Sequence, residues 1–274
     1  MGLKGTFTLI EEGWNLFYGN LGKVWKEAQF SFWMGIASTV VLAGVAGFVG
    51  IALIINAAAN KGFSTGMIVF SIICGIIALA AFAATVLYTL SYTIAYTKAL
   101  GQLQGGSEIN TKDKYTLVLP VLGVSLVAGA ATLGGFILLI IPGIIFWTWF
   151  GFSGLARIID EKKGIGALKY SHSLIRGRFW KILGRLLLLN IIVGAISAIL
   201  ALAPQLLVGI IGSLGNDSIK GILALTALLV AIPVGIIFAI IQVLFAIFIV
   251  AIMVVFYFNL KETMVSPATA PIAS

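Results

Sequence analysis

Residues 115–156 read YTLVLPVLGVSLVAGAATLGGFILLIIPGIIFWTWFGFSGLA, with no Asp, Glu, Lys or Arg among them. One crossing of a bilayer takes about 20 apolar residues, because the hydrocarbon is ~30 Å thick and a helix rises ~1.5 Å per residue. As one helix this stretch would run roughly 60 Å, about twice the hydrocarbon thickness. It is therefore expected to fold back on itself. Pro142-Gly143 is the natural turn, since Pro removes a backbone donor and Gly tolerates unusual φ/ψ. The reading predicts a hairpin with spans over 117–140 and 144–159.

Four further stretches are free of charge: 28–60, 62–97, 186–216 and 221–260. They predict spans over 30–58, 67–97, 180–203 and 233–259. Pro204 is expected to open a short non-spanning segment up to Asp217. Pro233 is expected to separate an interfacial or re-entrant piece, too short to cross, from the last span. The expected fold is thus an all-α integral membrane bundle of about six transmembrane helices. One polytopic domain covers residues 1–262. The tail 263–274, rich in Pro, Ala and Ser, is predicted to be disordered.

Composition agrees. Hydrophobic residues make up 61% of the chain and charged residues 9%, with a mean hydropathy of +1.14. A soluble domain carries about 25% charged residues, so this chain is too poor in charge to cover a surface facing water. The net charge of +8 could suggest nucleic acid, but the cations fall between apolar runs and form no basic domain. No nucleic-acid partner is expected. Nor is a cleaved leader, because Glu11, Glu12 and Trp14 precede the first apolar run. Cys74 is the single cysteine, which excludes an internal disulfide and a cysteine metal cluster. It is expected to be a buried thiol.

The positions of the cations test the topology independently. With six spans and a cytoplasmic N-terminus, only Lys61 and Lys220 of the 17 Lys and Arg residues lie outside. Both termini are then cytoplasmic, and the protein belongs in the cell membrane. Aromatic belts are expected from Trp25, Phe30 and Trp33, from Phe179 and Trp180, and from Phe256, Tyr257 and Phe258.

Two amphipathic surface helices are expected, one before span one and one before span five. In the first, over residues 3–21, Leu3, Phe7, Ile10, Trp14, Phe17, Tyr18 and Leu21 recur at helical spacing, away from Glu11, Glu12 and Asn15. Such a face suits the headgroup boundary. The two segments align, Asn15–Val24 with Ser173–Ile182, as if a surface helix ended at a glycine and turned into a span in both. An old duplication would explain this, and so would chance.

Candidate chemistry is sparse. Gly151-Phe152-Ser153-Gly154 has the form of an intramembrane serine protease motif, but that mechanism needs a His base in reach. The one histidine, His172, falls on the second surface helix. No catalytic residue, cofactor site or metal site is expected, and no ionisable residue lies near the centre of a span, where ion-coupled transporters keep them. Asn56, Asn190 and Gln242 are read as helix-bridging amides. Ala43, Gly44, Ala46, Gly47, Gly50 and the run Gly129 to Gly135 are read as packing residues.

The one candidate site is Arg176, Arg178, Lys181 and Arg185 with Trp180, placed to contact anionic lipid headgroups at ~1 kcal/mol per charge. The bland alternative is a topology signal with its aromatic belt.

Ile141-Pro142-Gly143, the break from Asp160 to Lys163, the helix from Ala167-Leu168 to Ser173, and Arg176-Gly177-Arg178-Phe179-Trp180 together resemble the membrane domain of glycerophosphoryl diester phosphodiesterases and related prokaryotic polytopic membrane proteins. The ending Tyr257-Phe258-Asn259-Leu260-Lys261 is similar to the close of that family's last span. The resemblance implies a membrane bundle without catalysis, because the phosphodiesterase activity belongs to a soluble domain absent from these residues. Two functional classes follow: a non-enzymatic protein acting through membrane lipids or assembly with itself or other membrane proteins, and a permease for an apolar or lipid-like molecule.

Overall fold

The structure, a computed structural model, describes residues 3–58, 65–213 and 220–265. Every regular element among them is an α-helix: α1 Thr6–Ala58, α2 Thr65–Gln104, α3 Lys114–Leu138, α4 Ile140–Phe150, α5 Ser153–Ile158, α6 Ile165–Ile175, α7 Phe179–Ser213 and α8 Lys220–Val265. Among the described residues, four helical stretches are long and apolar enough to cross a membrane. They are Val69–Gln104, Lys114–Leu138, Phe179–Leu200 and Ile240–Met264. The chain is a helical membrane protein.

The expected span over 144–159 is not a single helix. The chain turns at Leu139, in extended backbone (φ −166°, ψ 150°), before Pro142-Gly143. Pro142 is the third residue of α4, where an N–H would have no intrahelical acceptor, so a proline removes one unsatisfied donor from an apolar corner. Gly143 serves close approach instead of a turn. A Cβ there would meet the Phe136 ring at 2.4 Å, and one on Gly135 would meet Gly143 N at 2.9 Å. The other small residues read as packing positions behave differently: a Cβ on Gly44, Gly47, Gly129 or Gly134 would meet nothing within 4 Å. α4 then stops at Phe150, and Gly151-Phe152 separates it from α5.

The chain forms two compact units, residues 1–19 with 124–274, and residues 20–123. In the second unit, polar side chains tie the α2–α3 connection to α2 and to the middle of α1. Lys98 Nζ donates to both carboxylate oxygens of Asp113 at 2.7 Å. Thr111 donates to the Glu27 carboxylate, and Lys114 Nζ to the Glu27 carbonyl at 2.8 Å. Phe32 lies within ring contact of Trp25, Trp33 and Tyr92. Cys74 is buried, as expected.

In the first unit, α7 packs on α8, and α6 packs on α4, α5 and α8. Phe256 and Tyr257, expected at a membrane boundary, are fully buried core residues. Their rings pack on the equally buried Phe152. Trp33 and Trp180 are exposed.

The N-terminal helix departs from expectation. α1 is continuous from Thr6 to Ala58, with no turn at Gly19. Its face toward the protein is Thr6, Leu9, Gly13 and Phe17, whereas Phe7, Trp14 and Tyr18 are exposed. Residues 4–17 run antiparallel along α8. Lys4 N donates to Asn259 Oδ1 at 3.1 Å, Gly13 abuts Ile252, and Trp14 and Phe17 contact Phe248. The aligned segment behaves differently at the equivalent glycine: Gly177 adopts φ +82° and ends α6. A helical glycine costs about 1 kcal/mol without ending the helix. At Gly177 the chain is also drawn away, because Arg178 bonds to Thr263 of α8.

α7 and α8 continue through Pro204 and Pro233. Proline forfeits one backbone bond, which a membrane helix tolerates. The expected non-spanning pieces are therefore helical extensions as far as Ser213 and from Lys220; residues 214–219 lie outside the described residues. So does the expected tail beyond Val265, but Thr263 is the helical, buried partner of Arg178.

Candidate functional site

Three short elements position the basic cluster. α6 buries Ala167, Leu168, Ser171, Leu174 and Ile175, one face of a helix. Ser171 is the clasp beneath it. Its Oγ donates to the Trp149 carbonyl at 2.6 Å and accepts from Phe152 N at 3.3 Å, so one hydroxyl satisfies two backbone groups freed by the α4–α5 break. Ser171→Ala leaves both unpaired in a buried site and is expected to destabilise the protein by about 2 kcal/mol, measured by thermal unfolding in detergent.

At the end of α6 the chain reverses through Arg176-Gly177-Arg178. Arg176 N donates to the His172 carbonyl and Arg178 N to the Ile175 carbonyl, each at 3.0 Å. Only glycine adopts the positive φ at Gly177 freely. The turn aims the two arginines apart. Arg176 is exposed, and Arg178 reaches α8, where its guanidinium donates to the Thr263 hydroxyl and carbonyl. In the second turn of α7, Arg185 donates to the Leu3 carbonyl at 3.0 Å and to the Lys181 carbonyl at 3.4 Å.

Arg178, Trp180, Lys181 and Arg185 thereby line one open groove of about 1020 Å³, completed by Leu3, Gly5, Thr6 and Thr263. Four of the five expected contact residues share it; Arg176 is not among its lining residues. Sequence reading missed Leu3, Thr6 and Thr263, which come from the two ends of the chain. No carboxylate lines the groove. Both arginines are held by neutral acceptors, so their charge is not cancelled. Thr6, the first residue of α1, lines it too, and the N–H groups of a helix's first turn, which lack intrahelical acceptors, carry partial positive charge.

The far wall is fixed by a second polar cluster. Lys261 Nζ donates to Asp160 Oδ1 at 2.7 Å, and the buried Tyr257 hydroxyl donates to Asp160 Oδ2. Tyr170 borders the same carboxylate. Burial first, then the Asp160 charge, push its phenol above the ordinary tyrosine range. This clasp holds the last turn of α8, and with it Thr263, against the α5–α6 loop.

Ser153 donates to the Phe150 carbonyl at 2.7 Å, and the His172 ring packs edge-on to Trp149, 4.6 Å between centroids. Among the described residues no hydrogen bond joins Ser153 to His172.

No curated protein and no solved structure matches the chain. Residues 114–260 match one family, more than half of the 274 residues, and that range holds the corner, the broken helix and all three groove cations. The chain belongs to the family described as a domain of unknown function, DUF7847.

Proposed function

We propose that this protein holds an anionic lipid by its headgroup in the groove formed by Arg178, Lys181 and Arg185, as a non-enzymatic component of the cell membrane. The observation that carries this is a wide groove with three cations and no carboxylate, opened by a helix N-terminus. Exposed Trp180 at the same rim suits the headgroup level, where amphipathic rings collect. The reading includes six crossings, with α4 and α5 together making the fourth, and with both termini cytoplasmic. The resemblance to phosphodiesterase membrane domains accords with this role.

The test is lipid retention by the full-length chain in native mass spectrometry, comparing phosphatidylglycerol with phosphatidylcholine. Each surface charge contributes ~1 kcal/mol, so Arg178→Gln, Lys181→Gln and Arg185→Gln combined should weaken phosphatidylglycerol binding roughly a hundredfold. Arg176→Gln, outside the groove, should change it little. Equal retention of both lipids by the native protein, or an unaffected triple variant, overturns the proposal.

A further inference from the structure

A second cavity lies where α4 breaks, about 230 Å³ in volume, between the end of α4, α7 and α8. Its wall is apolar, from Trp147, Leu189, Val193, Ile252 and Met253, except at Asn190 and the bare backbone of Gly151. Interrupted helices inside membranes are tolerated where they are buried in protein or line a cavity, because freed backbone groups need partners. Here Ser171 and Ser153 take up the carbonyls of Trp149 and Phe150. Gly151 borders the cavity at the break, and a Cβ there would lie 3.2 Å from the Trp147 carbonyl oxygen of α4.

Asn190 was expected to bridge helices. Instead its Nδ2 donates to the Leu186 carbonyl of its own helix at 2.8 Å. Its Oδ1 has no partner among the described residues, and the side chain is exposed in an apolar span. An amide oxygen without water or a donor is costly in hydrocarbon. The group that would satisfy it is a hydrogen-bond donor on an otherwise apolar molecule. Size agrees, since an apolar cavity of ~150 Å³ already holds benzene, and this one accommodates a larger chain.

We propose that this cavity binds an apolar molecule bearing one hydroxyl, its chain among Leu189, Ile252 and Met253 and its O–H donated to Asn190 Oδ1. This site is independent of the basic groove, which lies on another face of α7.

The experiment reconstitutes the full chain in phosphatidylcholine vesicles and irradiates it with a diazirine analogue of 1-octanol. Labelled residues are mapped by mass spectrometry. Labelling is expected on the peptides carrying Trp147, Asn190 and Met253, to saturate, and to be displaced by 1-octanol but not by octane. Loss of one hydrogen bond in an apolar site corresponds to roughly tenfold weaker binding, the effect expected of Asn190→Leu. Val193→Trp, which fills the cavity and leaves the amide in place, should abolish labelling. Label spread evenly over the lipid-facing helices without saturation overturns the site. Displacement by octane as effective as by octanol, in the native protein, overturns the hydroxyl assignment.

Discussion

Gly13→Ala is expected to destabilise the protein by about 1–3 kcal/mol, and Gly13→Val by more, because the added carbon has no space to enter. A Cβ at Gly13 would lie 2.6 Å from Ile252 Cγ1 and 2.9 Å from Ile252 Cα. A side-chain atom can move aside, but a helix backbone cannot, so α1 would have to lift off α8. The Lys4–Asn259 bond and the contacts of Trp14 and Phe17 with Phe248 lie on the same seam and would loosen with it. Association of apolar helices in lipid depends on such close packing, since lipid tails are as apolar as the side chains they would replace. Thermal unfolding in detergent measures the effect. Combining Gly13→Ala with Ile252→Ala should recover only part of the loss, because the backbone clash remains; full recovery would show that the contact is side chain alone. Leu3 and Thr6 line the basic groove, so Gly13→Val should also lower retention of phosphatidylglycerol.

Asp160→Ala should cost about 2–3 kcal/mol. Removing one partner of a buried ion pair costs ~3–5 kcal/mol, and this pair is partly open, with Asp160 16% and Lys261 32% exposed. The loss has two parts. Lys261 forfeits its carboxylate, and the buried Tyr257 hydroxyl forfeits its acceptor. Asp160→Asn keeps an acceptor for Tyr257 and should fall between the native protein and Asp160→Ala. Tyr257→Phe removes one hydrogen bond and should cost about 1 kcal/mol. Urea unfolding of the three variants in one detergent gives the order. A loss below that of Tyr257→Phe in the Asp160→Ala variant would show that the carboxylate does not secure α8.

The span count illustrates how far composition carries. Four of the six expected crossings coincide with helices long and apolar enough to cross a membrane. Hydropathy locates them because the transfer of each side chain into hydrocarbon is a local quantity. The fourth expected crossing lies over two helices, α4 and α5, instead of one, for the same reason. Its apolar character is real, but where its helix breaks depends on Ser171, nineteen residues from Phe152, and no window over the span contains that residue. Pro142-Gly143 likewise stands out in the sequence, but Gly143 serves close packing on Phe136 and not the turn its residue type suggests. A turn and a close contact both ask for Gly, and only the position of Phe136 distinguishes them.

The site shows the same division. Arg178, Lys181, Arg185 and Trp180 are identifiable from charge and spacing at a span entrance, and by that criterion Arg176, two residues away, is indistinguishable from them. A positive φ at Gly177 separates the two arginines. The opposite wall, Leu3, Thr6 and Thr263, comes from more than 170 residues up the chain and 78 down it, which is beyond any local pattern.

The amino-acid sequence alone determined that this is a helical membrane protein, and where most of its apolar segments and cations fall, because those follow from side-chain solvation and helix rise residue by residue. Only the tertiary structure decided that α1 packs on α8 through Gly13, that α4 breaks above Ser171, and that three cations share one groove. Each of these is a matter of which distant atoms come within a few ångströms, and contact of that kind is a property of packed pairs, not of single residues.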